Sequence, residues 1–311
     1  MKNTGLIGAL VIGLFWAAGL SLAGDETIDF HQESPGLLPQ PFAPGILSVP
    51  DRYEQGITFT PDGNECYFTV SKSDWSASWI MKSEYRDGAW TTPVRASFSN
   101  ERSVCASISP DGSQLFFSCN RGTEGKQGIW VCQRTEAGLW SEPKEMNRSV
   151  SSTANEWSCH LSDKGNIFVC SWRPGGQGRC DGWRIPCREG HYQNAENLTP
   201  NNTENDDCGA APGPEERYVI FSRHPGEVGL VDLYISYALE DGTWSTGQNL
   251  GPTINSKGAD GGAWISFDGR YLFFTSNRGG DPDIYWVETR AFLLDPDEVK
   301  TLKEADDDAK D

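Results

Sequence analysis

The sequence lacks an excess of positive charge. It holds 26 Lys and Arg residues against 44 Asp and Glu residues, which gives a formal net charge of −18 at pH 7. A surface this acidic repels phosphate backbones and anionic lipid headgroups. The composition therefore argues against nucleic acid or a membrane surface as a partner, and it favours solubility outside the cytoplasm.

The common signatures of catalytic and cofactor sites are also missing. The sequence contains no Gly-x-Ser-x-Gly elbow, His-Glu-x-x-His motif or Walker loop. The oxygen-rich stretch 202–207 departs from the EF-hand pattern and is interpreted as a solvated loop rather than a calcium site. Of the four histidines, only His160 and His224 are placed where they could act together. We expect no metal and no cofactor; enzymatic activity stays open, with the balance against it.

The nine cysteines form no Cys-x-x-Cys pair and no Cys/His zinc spacing. Four of them lie inside apolar strand patterns and are interpreted as small buried hydrophobic residues. These four are Cys66, Cys119, Cys132 and Cys170. Cys105, Cys159 and Cys208 occupy similar places in successive copies of the repeat described below. We predict at most two disulfides, with these three residues as the best candidates.

One long apolar run, Leu6 to Leu20, follows Lys2 near the start of the chain. Ser21-Leu22-Ala23 then offers the small residues that a signal peptidase recognises, so residues 1–23 are interpreted as a signal peptide cleaved before Gly24. The alternative is an uncleaved membrane anchor, since the run is nearly long enough to span. The cleavage site favours export to the periplasm or the exterior. The mature chain of 288 residues (311 minus 23) suits one large β domain, expected to be monomeric.

A repeat of about fifty residues runs through the chain. Its turn motif is clearest at 56–63, 106–112 and 263–269, and degenerate copies lie at 161–165 and 211–216. The equivalent turn residues are Asp62, Asp111, Lys164, Glu215 and Asp268, in steps of 49, 53, 51 and 53 residues. Each turn precedes a short apolar strand, a third strand, and in four copies a segment that opens with Gly and an aromatic residue.

Four strands per unit at this period are typical of propeller blades, and no helical period interrupts the repeats. We predict an all-β, five-bladed β-propeller of four-stranded blades within 24–294. The blades are expected near 53–100, 101–150, 155–200, 204–256 and 260–290. The fifth copy lacks its fourth segment, and residues 40–48 are predicted to supply this strand beside 283–287, which hides an open sheet edge. Asp295-Pro296-Asp297-Glu298 predicts a short C-terminal helix to about residue 304, followed by an acidic tail.

These repeats resemble the WD40-like PD40 repeats of TolB-type propellers and of propellers joined to OmpA-like domains. The resemblance is carried by Ser-Pro-Asp-Gly with Leu-Phe-Phe-Ser-Cys-Asn-Arg (109–121) and by Phe-Thr-Ser-Asn-Arg-Gly-Gly with Asp-Ile-Tyr (274–285). It covers nearly the whole mature chain and implies the fold, whereas it leaves the function open. TolB-type propellers have six blades and a separate N-terminal domain, which this sequence does not show.

Charged residues recur at one position on each side of the hairpins. The carboxylates are Glu54, Glu156, Asp207 and Asp260, with Ser103 in the second copy, and the arginines are Arg121, Arg173, Arg223 and Arg278. Cross-strand geometry predicts that each acid lies beside an arginine on one face, around the central channel. With His224, this rim could bind a ligand; alternatively it is a structural ring of Arg–carboxylate pairs. Because the acids are equivalent by repeat, the pattern points away from glycoside hydrolysis.

The leading hypothesis is an exported, non-enzymatic binding module of the cell envelope that docks a protein or peptide on this face. The alternative is a propeller that binds carbohydrate, or acts on it as a lyase-like enzyme. Tryptophans buried in strands favour the first hypothesis, whereas tryptophans on loops around a cleft favour the second.

Overall fold

The computed structural model describes residues 27–122 and 125–293. Its regular structure is almost entirely β-strand, in five antiparallel sheets of four main strands. The inner strand of each sheet contacts the inner strands of both neighbouring sheets, and the fifth contacts the first. The sheets therefore close into a ring, which confirms the predicted five-bladed β-propeller. The predicted signal peptide (1–23) and C-terminal helix (295–304) lie outside the described residues.

Each blade runs outward from the channel as an inner, second, third and outer strand. Blade 1 contains Tyr53–Phe59, Glu65–Ser71, Ser78–Arg86 and Val94–Arg95, with a short extra strand Ala89–Trp90. Blade 2 contains Val104–Ile108, Gln114–Cys119, Gly128–Gln133 and Lys144–Glu145. Blade 3 contains Glu156–Leu161, Ile167–Ser171, Asp181–Ile185 and Glu196–Asn197, with a small hairpin of Cys187–Arg188 and His191–Tyr192. Blade 4 contains Asp206–Pro212, Tyr218–His224, Asp232–Tyr237 and Gln248–Asn249. Blade 5 contains Asp260–Ile265, Tyr271–Ser276, Asp283–Glu288 and the N-terminal Gln40–Pro41.

Helical structure in the described residues is limited to short turns. They are the α-helical turn Gly251–Ile254 and the 3-10 turns Pro214–Glu216 and Thr289–Ala291. No helix in this part of the chain is long and apolar enough to cross a membrane.

The N-terminal stretch closes the ring as the outer strand of blade 5, as predicted. Gln40 pairs with Trp286 and Pro41 with Tyr285 in an antiparallel register. The Phe42 amide then donates to the Ile284 carbonyl at 2.9 Å. The first and last parts of the described chain therefore share one blade, and the third strand of blade 5 has no open edge.

The repeated turn motif builds the hairpin between the inner and second strands. In blade 2, Asp111 accepts hydrogen bonds from the Ser109 hydroxyl at 2.5 Å and from the Ser113 amide at 2.9 Å. These two bonds lower the pKa of Asp111. Gly112 has a φ of 70°, which residues with a side chain rarely adopt. The Ser-Pro-Asp-Gly motif is thus explained by the hydrogen bonds and backbone shape of one tight turn.

Aromatic residues fill the space between blades. Phe42 and Phe59 are fully buried, and their ring centroids lie 5.4 Å apart in an edge-to-face arrangement. Phe42 also packs against Trp286 at 5.3 Å, and Phe30 packs against Phe59 at 4.7 Å. Each such ring removes a large apolar area from water, so the junction between the two ends of the ring is a major part of the core.

Candidate functional site

Three of the predicted Arg–carboxylate pairs form, one in each of blades 3, 4 and 5. The distances are 3.5 Å for Arg173–Glu156, 2.6 Å for Arg223–Asp207 and 2.8 Å for Arg278–Asp260. The three carboxylate side chains are at most 1% exposed. Cross-strand pairing therefore places the acids and arginines together in these blades, in positions that solvent hardly reaches.

Blades 1 and 2 depart from this arrangement. Blade 1 has no arginine after its second strand, so Glu54 pairs with Arg52 from the strand entry instead. Blade 2 has Ser103 in place of the acid, and Arg121 donates to the Phe98 carbonyl. His224 is exposed and lies opposite Asp206 in the register of blade 4.

Each arginine of the ring also holds the linker that enters its own blade. Arg173 donates to the Val150 carbonyl at 2.8 Å, and Arg223 donates to the Asn201 carbonyl at 2.9 Å. Arg52 reaches the Leu47 carbonyl at 2.9 Å, so blade 1 keeps the same contact with a different arginine. The arginines thus satisfy buried carbonyl groups between blades, which favours the structural interpretation of the ring.

The acids have further partners in the linkers that enter their blades. Thr203 donates its hydroxyl to Asp207 at 2.7 Å, and Ser256 donates to Asp260 at 2.8 Å. Ser152 makes the equivalent bond to Glu156. Because each of these carboxylates is buried beside an arginine and already accepts a bond from a hydroxyl, a ligand could reach it only by displacing protein groups.

Glu54 contacts a second carboxylate, Asp283. Burial raises the pKa of Glu54 to about 8, because the opposing effect of Arg52 is smaller and Asp283 adds to the rise. The Glu54 carboxyl is therefore protonated through most of the neutral range. This pair is specific to the junction between blades 5 and 1.

The central channel contains a cavity of about 340 Å³ on the same face as the charged ring. Its wall includes Trp157, Trp172, Arg179 and Asp206, with His160 deeper in the channel. Burial lowers the pKa of His160 to about 4, so this ring is neutral at pH 7. Residues from the inner strands of all five blades line this cavity.

Two tryptophans and an ion pair form the polar and aromatic edge of this cavity. Trp157 and Trp172 have ring centroids 5.8 Å apart, and the Trp157 side chain is 37% exposed. The Arg179 guanidinium lies 5.1 Å from the Trp172 ring centroid, which is a cation–π distance. Arg179 also pairs with Asp206 of blade 4 at 2.7 Å. We call Trp157, Trp172, Arg179 and Asp206 the mouth cluster.

The mouth cluster was not found by sequence reasoning. Trp157 occupies a β-bulge of the inner strand, between Glu156 and Ser158 in the register of blade 3. In the other four blades the bulge holds a residue with positive φ, namely Gly56, Cys105, Gly209 and Gly262. A bulge re-aims the side chain it carries. The available signal was that Trp172 stands before Arg173 where Asn120 and Asn277 precede the equivalent arginines.

A second cluster lies in the same channel wall, between blades 3 and 4. The sulfur atoms of Cys170, Cys180 and Cys208 all lie within 4.8 Å of one another, and those of Cys170 and Cys180 are 2.6 Å apart. The Cys180 thiol raises the pKa of Cys170, and Cys170 raises that of Cys208; burial adds to both effects. We call these residues the thiol cluster.

The expected pairing among Cys105, Cys159 and Cys208 is not observed, and all nine cysteines are free thiols. Cys159 lies opposite Val169, so it points to the other face of blade 3 from Cys170 and packs against blade 2. Similar positions along the inner strands therefore do not bring these sulfur atoms together. Cys170 is buried as predicted, yet it faces other thiols as well as the core.

No family model and no curated protein matches the sequence. TolB of Acinetobacter baumannii aligns with 77% of this chain at 13% identity and a TM-score of 0.49. The chain spans about half of that protein's length (53%). A putative TolB from Agrobacterium tumefaciens aligns over 76% of this chain and 90% of its own, at 17% identity and a TM-score of 0.39. The β-propeller domain of the Trilobed protease from Pyrococcus furiosus aligns over 76% and 82%, at 14% identity and a TM-score of 0.40. The chain is a five-bladed β-propeller whose repeats resemble those of TolB-type propellers.

Proposed function

We propose that this protein is an exported, non-enzymatic binding module of the cell envelope, and that it docks a peptide or an extended segment of a protein at the channel mouth. The observation that carries this proposal is the mouth cluster, in which Trp157 projects from a bulge over the cavity. Exposed aromatic residues beside a concave site are typical anchors of binding energy. The predicted signal peptide at residues 1–23 supports the proposed export to the cell envelope.

The size of the cavity favours a chain segment over a folded domain. A volume of about 340 Å³ accommodates a few side chains. The surrounding arginines and acids of blades 3 to 5 are occupied with each other, so the ring supplies a rigid frame for the cavity. The proposal assigns no catalytic step to these carboxylates, because they are buried and each is paired with an arginine.

The charge of the chain favours a basic segment. A formal net charge of −18 attracts cations and accelerates their association. A Lys or Arg of the ligand can lie against the tryptophan faces and compete with Arg179 for Asp206. We therefore expect the preferred ligand to be a positively charged peptide.

Carbohydrate binding is a second candidate, supported by the same two tryptophans. Trp172 lies on the loop after the second strand and Trp157 lies at the mouth, where flat rings can stack on sugars. Most other tryptophans lie in strands or pack between blades, such as Trp90, Trp264 and Trp286. Because most of the described tryptophans lie in strands or in the packing between blades, peptide binding is the leading proposal.

The test is a titration of the mature protein with synthetic peptides of equal length that are basic, neutral or acidic, and in parallel with soluble glycan fragments. Trp157→Ala is expected to weaken binding of the basic peptide by roughly 30-fold or more, about 2 kcal/mol. Trp75→Ala is the matched control, because Trp75 is 55% exposed on blade 1 and does not line the cavity. Equal losses in both variants would contradict the proposal. Glycan binding that depends on Trp157, without peptide binding, would establish the second candidate.

A further inference from the structure

The thiol cluster differs from the rest of the propeller at every one of its three positions. Thr69, Ser118, Ser222 and Thr275 occupy the position equivalent to Cys170 in the other blades. The residues equivalent to Cys180, just before the third strand, are Ala77, Gln127, Val231 and Pro282. Those equivalent to Cys208 are Gln55, Val104, Trp157 and Gly261. A repeated feature serves the repeat, whereas three departures that meet at one junction call for a local explanation.

The hydroxyl groups at the Cys170 position have a structural role that a thiol performs poorly. Thr69 accepts a hydrogen bond from the Cys105 amide at 3.0 Å, and Thr275 accepts one from the Gly56 amide at 3.1 Å. Both bonds join a blade to the inner strand of the next blade. At the junction of blades 3 and 4 the Cys170 sulfur takes this place and accepts from the Gly209 amide. A thiol is a weaker hydrogen-bonding group than a hydroxyl, so this contact alone does not explain a cysteine here.

A disulfide between Cys170 and Cys180 would explain two of the three departures. It would leave the third unexplained, because Cys208 comes from the inner strand of the next blade and still lies within 4.8 Å of both sulfur atoms. A metal ion uses all three sulfur atoms at once. Soft thiolate ligands select thiophilic cations such as Cu(I) and Zn(II).

The number of available ligands favours Cu(I) over Zn(II) at this site. No fourth His, Cys, Asp or Glu joins the group in the part of the chain that the structure describes. Structural zinc sites are almost always four-coordinate, whereas Cu(I) is stable with three sulfur ligands. We propose that Cys170, Cys180 and Cys208 form a three-thiolate Cu(I) site in the channel wall.

The surroundings of the thiol cluster suit a thiolate-bound cation. The buried indole Nε1–H of Trp172 lies against the Cys180 sulfur and has no other partner among the described residues. Arg179, next to Cys180, supplies a positive charge beside the thiolates. The Asp207 amide donates to the Cys180 carbonyl at 2.7 Å, which fixes the loop from blade 3 against blade 4. The cluster also borders the cavity, so an ion can reach it from the open face.

Coordination would join two blades through one ion. Each thiol that binds gives its proton to solvent and its sulfur lone pair to the metal. Cys170 and Cys180 belong to blade 3, and Cys208 belongs to blade 4. The site is independent of the proposed docking of a peptide, since it needs none of the ligand contacts of Trp157.

The test is an anaerobic titration of the reduced mature protein with Cu(I) against a chromogenic Cu(I) chelator. We expect one Cu(I) per chain, with three sulfur neighbours by X-ray absorption. Cys170→Ser and Cys208→Ser are each expected to weaken binding by at least about 100-fold, since even outer-shell changes cost 10–100-fold. Serine already stands at the Cys170 position in blades 2 and 4, so Cys170→Ser is expected to fold; circular dichroism verifies this.

Cys187→Ser is the matched control, because Cys187 is a partly exposed thiol of the same blade outside the cluster. It is expected to bind Cu(I) like the wild type. The proposal is overturned if the wild type takes up no Cu(I), if Cys187→Ser weakens Cu(I) binding as much as Cys208→Ser does, or if only two sulfur atoms surround the metal. A Cys170–Cys180 disulfide that persists in the metal-free protein under thiol reductant would overturn it as well.

Discussion

Trp157 and Trp172 face each other across the edge of the channel cavity, with ring centroids 5.8 Å apart, although one lies on an inner strand and the other on a loop. Arg179 lies against Trp172 and pairs with Asp206 of the next blade. The channel mouth thus combines aromatic surface with a partly exposed carboxylate. This combination is the basis of the proposed recognition of basic peptides.

The ion pair of the mouth cluster predicts opposite effects for its two members. Asp206→Asn is expected to weaken binding of the basic peptide by about tenfold, 1.4 kcal/mol, because the variant lacks the carboxylate that pairs with the peptide's positive charge. Arg179→Ala releases Asp206 for the ligand, so binding should be unchanged or tighter. Calorimetric titration at low and high salt measures both effects, and the Asp206 contribution should shrink with salt. If Arg179→Ala binds the basic peptide more weakly than Asp206→Asn does, Asp206 is not the partner of the peptide's positive charge.

The arginines of the ring are predicted to stabilise the fold. Arg223→Ala leaves Asp207 buried without its charge partner, so we expect a loss of about 3 kcal/mol in the free energy of unfolding. Arg121→Ala is the control, because Ser103 replaces the acid in blade 2 and Arg121 loses mainly its bond to the Phe98 carbonyl. Its expected loss is about 1 kcal/mol. Urea unfolding of both variants tests the difference; equal losses would mean that Asp207 is well solvated without Arg223.

Cys105 is predicted to be replaceable with a gain in stability. It has a φ of 54° in the bulge of blade 2, whereas glycine occupies the equivalent bulges of blades 1, 4 and 5. Glycine adopts this conformation without steric strain, so Cys105→Gly should raise the free energy of unfolding by up to about 1 kcal/mol. Cys105→Ala keeps the strain and should give no gain. Urea unfolding compares the two; a larger gain for alanine would exclude backbone strain as the cause.

Stability is predicted to depend on pH through Glu54. Its pKa is raised to about 8 by burial, with Arg52 opposing and Asp283 adding to the rise, whereas the ordinary value is 4.5. Between these values the folded chain binds one more proton than the unfolded chain, so stability falls as the pH rises from about 5 to 8. Glu54→Gln cannot ionise, yet its amide can accept from Arg52 and donate to Asp283.

Between pH 5 and pH 8, the free energy of unfolding should therefore fall less in Glu54→Gln than in the wild type. The expected difference is at least about 1.4 kcal/mol, which corresponds to one pKa unit. Urea unfolding of both proteins at pH 5 and pH 8 gives the comparison. Identical losses in the wild type and in Glu54→Gln would mean that Glu54 titrates near its ordinary pKa in the folded chain.

The fold was predictable because its information is local and repeated. The Ser109–Asp111–Gly112 turn, the apolar second strands and the missing fourth segment of the last copy indicated five blades and the closing role of residues 40–48. The Arg–carboxylate pairs followed from strand register alone. These features depend on residues that are close in sequence or are equivalent in every blade.

The mouth cluster and the thiol cluster could not be predicted in the same way. Trp157 reaches the cavity because the bulge of blade 3 differs from those of the other blades. The three sulfur atoms of the thiol cluster meet because of the strand faces that the cysteines occupy and because of the path of the loop before Asp181. In that loop the Asp181 carboxylate accepts a hydrogen bond from the Gln177 amide at 2.6 Å. Both sites arise where one blade departs from the repeat, and the repeat pattern alone does not show where the departing side chains lie relative to one another.

Docking at the channel mouth can be tested with a crystal structure of the mature protein bound to the tightest-binding basic peptide. We expect a peptide side chain inside the cavity, with Trp157 buried beneath it and a Lys or Arg of the peptide close to Asp206. A peptide bound on the opposite face, over the turns of Asp111 and Asp268, with Trp157 still exposed, would contradict it.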